Sequence, residues 1–215
     1  MSNQQTVAVW GAGSGLGLAV AQHFSENGYQ VIGISRNPSK SEETLACCQQ
    51  VFACDATDKA SVEATVAQLP KDAWIISTMG SFGADVPVDY TGHRYLIDAL
   101  EANAIKRFLL VTSLGCGDSW QFLSERARQG FGFAVREKSL AEAWLVSSGL
   151  DFTILRPGGL INGPITGNGE LTQGIEVHGV IHRSEVARLV AQLLNDDNSV
   201  GEIFQCVDPR VERSY

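Results

Sequence analysis

No apolar run in the 215-residue chain reaches the roughly 18–20 positions that a bilayer-spanning helix needs. Positive charge is in short supply as well. With 16 Lys and Arg against 24 Asp and Glu, the formal net charge is −8. A surface of that sign repels nucleic-acid backbones, so no nucleic acid and no membrane is expected as a partner; a local basic pocket for one small phosphate stays open. The five cysteines (Cys47, Cys48, Cys54, Cys116 and Cys206) are odd in number and have no CxxC spacing. That excludes a disulfide framework and predicts reduced, mostly buried thiols. Of the four histidines only His178 and His182 are spaced four apart, in the extended-looking GIEVHGVIHR, with no Cys or carboxylate cluster beside them, so no metal site is expected. The N-terminal MSNQQTVAVWGAG has no basic start and no apolar signal core, which predicts a cytoplasmic protein. Tyrosine is the last shortage. The four tyrosines are Tyr29, Tyr90, Tyr95 and Tyr215, and none lies between 96 and 214.

What is present is a regular alternation. Hydrophobic residues make up 44% of the chain, enough for one full core. Short β-branched runs predict strands at 6–11, 29–35, 50–55, 73–78, 107–113, 151–157 and 202–207. Such continuous apolar runs suit parallel strands buried on both faces. Between them, amphipathic periodicity predicts helices at 15–27, 38–49, 58–68, 91–103, 136–148 and 183–195. The helix at 136–148 carries Leu140, Ala141, Trp144, Leu145 and Ser148 on one face. Repeated strand–helix–strand units imply an α/β, doubly wound, mostly parallel sheet in a single domain over 1–215. Two long loops, about 114–133 and 158–180, are candidates for a substrate site.

The first strand runs into VAVWGAGSGLG and then into an amphipathic helix. Gly11, Gly13, Gly15 and Gly17, with Ala12, Ser14 and Leu16 between them, form a GxxxGxG turn. Glycines let the backbone approach a pyrophosphate, and the helix N-terminus supplies free N–H groups and a positive dipole end. The second strand ends in Ser35, Arg36 and Asn37, where an NAD site would carry an acid for the ribose 2′-hydroxyl. A guanidinium and a hydroxyl suit a 2′-phosphate, so NADP is expected over NAD; a solvated loop charge is the alternative for Arg36. Asp55, with the Ala56 backbone beside it, is placed to accept from an adenine amino group or, alternatively, to cap a helix. The fourth strand ends in STMGS, which would carry the Met79 and Gly80 backbone along the cofactor at the sheet's switch point.

Together, WGAGSGLG, SRNPSK, CDATD, RFLLVTSLGCGD, KSLAEAWLVSSGLDFTILRPGGL and IHRSEVARLV resemble the atypical, NmrA-like branch of the short-chain dehydrogenase/reductase superfamily. The likeness extends to small NAD(P)H-binding proteins of the flavin reductase/biliverdin-IXβ reductase type. The resemblance implies the strand order 3-2-1-4-5-6-7 with the cofactor along the carboxyl edge. It also implies that Thr112 and Ser113 face the nicotinamide, that Lys138 bonds the nicotinamide ribose, and that Pro157, Gly158, Gly159 and Leu160 pack against the nicotinamide end. A similar protein is seen as a monomer or weak dimer. Ser113 and Lys138 are the catalytic candidates, although Lys138 could instead pair with Glu142 on the helix surface.

The superfamily's tyrosine-dependent members use YxxxK, in which the lysine lowers the pKa of the tyrosine that moves the proton. Here that tyrosine is Ala134. A simple alcohol dehydrogenase is therefore not expected. The expected activity is NADPH-dependent reduction of a flat conjugated acceptor (a flavin, quinone or tetrapyrrole) that delocalises the incoming charge. Trp120, Phe122, Phe131 and Phe133 suit such a ligand, or they pack the loop onto the core. The alternatives are a non-catalytic NADP(H) sensor or scaffold and a pathway-specific reductase, isomerase or epimerase.

Overall fold

The computed structural model describes residues 4–81 and 86–212. Its strands are β1 Thr6–Trp10, β2 Gln30–Ser35, β3 Gln50–Ala53, β4 Trp74–Ser77, β5 Arg107–Val111, β6 Asp151–Pro157, β7 Gly159–Ile161, β8 Glu170–Thr172, β9 Val180–His182 and β10 Glu202–Val207. Its α-helices are α1 Gly15–Glu26, α2 Glu42–Cys47, α3 Lys59–Val66, α4 Thr91–Ala102, α5 Glu125–Val146 and α6 Arg183–Leu194.

The main sheet has the order β3-β2-β1-β4-β5-β6-β10-β8. Its first seven positions reproduce the expected order, the predicted seventh strand being β10. The sheet is one strand larger than predicted, because β8 adds antiparallel to the β10 edge through Gln205↔Thr172, Cys206↔Leu171 and Val207↔Glu170. The loop at 158–180 also holds β7, which pairs in parallel with β9 in a separate two-stranded sheet. Strands of three residues carry too little periodicity to stand out from a glycine-rich sequence.

Both faces of the sheet are covered. Val62 and Val66 of α3, Leu96 and Leu100 of α4 and Ala141 and Leu145 of α5 pack one face with Trp10, Ile75 and Phe108. Leu16, Val20 and Phe24 of α1 pack the other with Val186, Val190 and Leu194 of α6. The chain leaves β1 in opposite directions, toward β2 and toward β4, so a crevice opens beyond the carboxyl ends of β1 and β4.

The helix predicted at 136–148 is corrected most. It begins at Glu125, so the segment read as a loop to residue 133 is half helix. Ser124 caps it, its hydroxyl accepting from Ala127 N at 3.2 Å. Gly130 and Gly132 lie inside it and mask the signal, each lowering helix propensity by about 1 kcal/mol. Its buried face also differs. Leu140 is 51% and Trp144 39% exposed, whereas Glu142 is buried. Trp144 instead donates Nε1 to Asp98 Oδ1 at 2.7 Å and stacks edge-on with Tyr90.

Candidate functional site

The glycine turn sits at the mouth of the crevice. Gly11 has φ +90°, and a Cβ there would meet Thr78 Oγ1 at 2.9 Å. Gly17 admits no side chain, since its Cβ would lie 2.1 Å from Gly11 O. Gly13 lies against Ser35, whose Oγ would be 3.2 Å from a Cβ. Ala12 is buried, and its carbonyl accepts from Thr44 Oγ1 at 2.9 Å. Leu16 sends its side chain into the core, so only its backbone is available to a ligand.

The N-terminus of α1 is left open. Ser41, Asp58 and Ser124 cap α2, α3 and α5, but Ser14 makes no side-chain cap and no acid stands in the first turn of α1. The first-turn N–H groups of a helix have no intrahelical acceptor, so an anion fits there.

Beside this turn is a cleft of about 370 Å³, lined among others by Gly11, Ser35, Arg36, Asp55, Ala56 and Met79. These predicted residues come together. The Ser35 hydroxyl is buried without a partner and Arg36 is exposed at the rim, a donor set that fits a phosphate. Asn37 precedes a 3-10 turn, Pro38–Lys40, with its side chain unbonded to it. Asp55 lines the cleft but does not cap a helix; Asp58 does, accepting from Ala60 N. Asp55 Oδ1 accepts from Thr57 N at 3.0 Å and Thr57 Oγ1 at 2.7 Å. The Thr57 backbone bond, then its hydroxyl, hold the carboxyl below its ordinary pKa.

At the other end of the crevice, Lys138 Nζ forms a 2.7 Å ion pair with Asp89 Oδ1 and donates to Met79 O at 3.3 Å. A Cβ on Gly80 would be 3.3 Å from the same Nζ. Lys138 is therefore not the helix-surface partner of Glu142. Ser81 donates its hydroxyl to Asp89 Oδ2 and accepts from Val88 N at 2.9 Å. Burial pushes the Asp89 carboxyl up, but the Lys138 charge and the bonds from Lys138 and Ser81 outweigh it and hold it below the usual range. Asp89 is thus an anion that anchors the ammonium.

Beneath the pair, His93 is fully buried between Ser77 Oγ at 2.9 Å and Asp89 O at 2.7 Å. A carbonyl only accepts, so Nδ1 carries the proton and Nε2 accepts from Ser77. Burial, reinforced by the Lys138 charge, lowers its pKa to about 4. In the unfolded chain His93 titrates near 6.5. Between those values the unfolded state binds the extra proton, so stability falls as pH drops from about 6.5 to about 4, by about 3 kcal/mol in all. Urea titrations at pH 7 and 4.5 should show this loss, and His93→Gln should remove most of it.

The Thr112 hydroxyl is engaged within the protein, donating to buried Glu142 Oε1 at 2.6 Å. Glu142 also accepts from Arg156 Nε at 3.0 Å and Nη2 at 2.7 Å, and Arg156 Nη1 reaches Asp118 Oδ1 at 2.5 Å. This cluster, buried except at Asp118, ties the end of β5, the segment after it, α5 and β6 together. Ser113 is half-buried, its Oγ 3.6 Å from Cys116 Sγ. In the turn after β6, Pro157 O accepts from Leu114 N at 3.0 Å, and Gly158 lets β9 approach, a Cβ there falling 2.5 Å from Gly179 O. Gly159 and Leu160 continue as β7. That close approach accounts for Gly158. The cysteines are free; Cys48, partly buried beside Cys47, has its pKa raised to about 12 by burial, then by Cys47, and is not a reactive thiolate at neutral pH.

Two residues of the crevice escape a sequence reading. Asp89 stands between elements in VPVDY, with no periodicity to mark it. Arg183 opens α6, and its Nε lies 3.9 Å from where a Cβ of Gly15 would be, while Nη1 donates to Asn162 Oδ1 at 2.8 Å. A signal existed for Arg183, because a cation in the first turn of a helix opposes the dipole. The glycine turn has no cation of its own, so Arg183 is the charge best placed to meet a pyrophosphate. Arg183→Gln should weaken NADPH and NADH alike by ~10-fold or more, since both carry that group. Fluorescence titration with each nucleotide measures it.

Comparison with known proteins places this architecture. A family described as NAD(P)H-binding matches residues 11–197. The fold superposes on ChuY, an anaerobilin reductase from Escherichia coli O157:H7, with a TM-score of 0.89 and 41% identity, covering 98% of this chain and 100% of that one. An uncharacterised sugar epimerase of Bacillus subtilis (strain 168), YhfK, is 32% identical over 143 residues, 62% of each chain. Sanguinarine reductase of Eschscholzia californica is 32% identical over 123 residues, 54% of this chain and 44% of that one. The chain therefore spans less than two thirds of the length of these two curated relatives.

Proposed function

Since the chain belongs to the NAD(P)H-binding family, we propose that it is an NADPH-dependent reductase of a flat, conjugated acceptor, a linear tetrapyrrole being the class that fits best. One observation carries this reading. One turn before Lys138, where a tyrosine would hand over the proton, stands Ala134, and Lys138 itself is fastened to Asp89 and Met79 O. An isolated alkoxide would find no tyrosine at that position to protonate it. A conjugated acceptor needs none at that position, because it spreads the charge and takes its proton from solvent. The full-length likeness to an anaerobilin reductase supports the acceptor class.

Bound NADPH supplies the hydride. The open N-terminus of α1 and the backbone of Gly11, Gly13 and Gly15 hold the pyrophosphate, with Arg183 alongside. Ser35 and Arg36 take the 2′-phosphate, which is the basis for NADP over NAD. Lys138, positioned by Asp89, holds the nicotinamide ribose against Met79 and Gly80, and Ser113 lies at the nicotinamide end. The protein orients the two flat partners and excludes water between them. The alanine also weighs against an epimerase, which needs a proton-moving pair. The working form is a cytoplasmic monomer or weak dimer.

The test is NADPH deuterated at the transferable position, incubated with a linear tetrapyrrole. The product should gain one deuterium and NADP+ should form in equal amount. A product isomeric with its substrate, with NADPH unconsumed, would overturn the reading.

A further inference from the structure

The segment that follows β7, residues 162–169, is fastened to the start of α6 by four consecutive side chains. His182 donates its Nδ1–H to Pro164 O at 2.8 Å, and its ring lies so close to Gly163 that a Cβ there would fall 2.3 Å from Cε1. Arg183 donates Nη1 to Asn162 Oδ1 at 2.8 Å, and Ser184 donates its hydroxyl to Gly163 O at 2.6 Å. Glu185, fully buried, accepts from Thr166 N and Gly167 N at 3.0 Å and from Gly169 N at 2.9 Å. His182, Ser184 and Glu185 all hold backbone groups. The bond from Arg183 differs, because it joins two side chains. It is also the one beside the glycine turn, where Arg183 Nε lies 3.9 Å from the position of a Cβ on Gly15.

Asn162 thus holds a guanidinium from an anchored strap. Two features suit that arrangement to an anion. Arg183 forms no ion pair among the described residues, so its charge is not neutralised. Its partner is a neutral amide, which occupies one of the five guanidinium donors and cancels no charge. A carboxylate in the same place would pair with the arginine and compete with any phosphate. A free arginine loses side-chain entropy when a ligand immobilises it, whereas a tethered one has already lost it on folding.

We propose that Asn162 is a positioning residue for the cofactor's pyrophosphate, presetting the Arg183 guanidinium beside the glycine turn from the scaffold of the strap 162–169. The assignment rests on the cofactor half of the reductase reading, in which Arg183 stands alongside the pyrophosphate. It gives part of the long loop after β6 a task in nucleotide binding, apart from any contact with the acceptor. The pyrophosphate is common to both nicotinamide dinucleotides, so Asn162 acts on NADPH and NADH alike. Arg36, at the far end of the cleft, acts on only one of them.

The experiment is fluorescence titration of NADPH and NADH on the wild type, Asn162→Ala, Asn162→Asp, Arg183→Gln and the double variant of Asn162→Ala with Arg183→Gln. Asn162 is exposed, so its variants should fold, and melting temperatures without nucleotide check this. Asn162→Ala should weaken both nucleotides by ~2- to 10-fold. Asn162→Asp keeps the size and the acceptor and gives Arg183 an ion pair. The free variant should therefore melt no lower than the wild type, yet bind both nucleotides ~10-fold or more weakly. A purely structural role demands the opposite order, with aspartate harmless and alanine damaging. In the Arg183→Gln background, Asn162→Ala should cause no further loss. Wild-type affinity in either Asn162 variant, or the same loss from Asn162→Ala with and without Arg183, would overturn the assignment. Turnover of NADPH with a conjugated acceptor is read on the same samples. Arg183-dependent loss of nucleotide affinity at Asn162, without turnover in the wild type, would leave the assignment standing and sink the reductase reading; turnover with nucleotide affinity indifferent to Asn162 would do the reverse.

Discussion

Gly17→Ala is expected to abolish measurable NADPH binding. The added methyl would sit 2.1 Å from Gly11 O and 2.7 Å from Thr78 Oγ1, and neither neighbour is the loose end of a long side chain. Relief comes only from moving α1 away from β1, which carries the first-turn N–H groups off the pyrophosphate. Two charge-assisted bonds lost at about 1.5–3 kcal/mol each correspond to a ~10²–10⁴-fold weaker complex. Overpacking should also destabilise the fold by about 1–3 kcal/mol. Gly130→Ala is the matched control. Nothing lies within 4 Å of a Cβ at Gly130, in the second turn of α5. It should stabilise the protein by about 0.5–1 kcal/mol and leave NADPH binding alone. Thermal melts and nucleotide titrations of both variants separate these effects.

Arg36→Glu should convert nucleotide preference rather than destroy binding. Among the described residues lining the cleft Arg36 is the only cation, and the Ser35 hydroxyl beside it is buried and unpartnered, a pair that suits a 2′-phosphate. Reversing the charge removes one charge-assisted bond and sets a carboxylate against a phosphate. NADPH affinity should fall by ~100-fold or more. NADH, which presents only a 2′-hydroxyl, should bind as well as before or better, because an acid at this strand end accepts from that hydroxyl. Equal loss of both nucleotides would refute the 2′-phosphate assignment. Arg183→Gln, expected to weaken both, makes the pair of variants a two-way assignment of the two phosphates.

The parts of the fold written in local pattern were legible. α1 shows its buried stripe of Leu16, Val20 and Phe24 in its spacing, and the buried strands show as β-branched runs. The glycine turn at the mouth of the candidate cleft was legible because glycines mark a close backbone approach in the sequence itself. What escaped depends on distant pairs. Glu142 looks like a surface residue of an amphipathic helix until Arg156 arrives from β6 and Thr112 from β5. Asp89 has no local signature, because its partner Lys138 comes from another element. The start of α5 was hidden by Gly130 and Gly132, whose helix penalty is offset by packing on Trp120 in one case and simply tolerated in the other. β7, β8 and β9 exist because β10 and the turn after β6 offer edges to pair with, which no three-residue run can reveal.

The central claim is that a site without a proton-donating tyrosine still transfers hydride when its acceptor is conjugated. It is tested most directly by following NADPH absorbance with purified protein and four acceptors: a linear tetrapyrrole, a flavin, a quinone and a simple ketone. Saturable oxidation with the tetrapyrrole, one NADPH consumed per molecule reduced and none with the ketone, is the predicted result. Tight NADPH binding with no oxidation above the protein-free rate for any of the conjugated acceptors would contradict it.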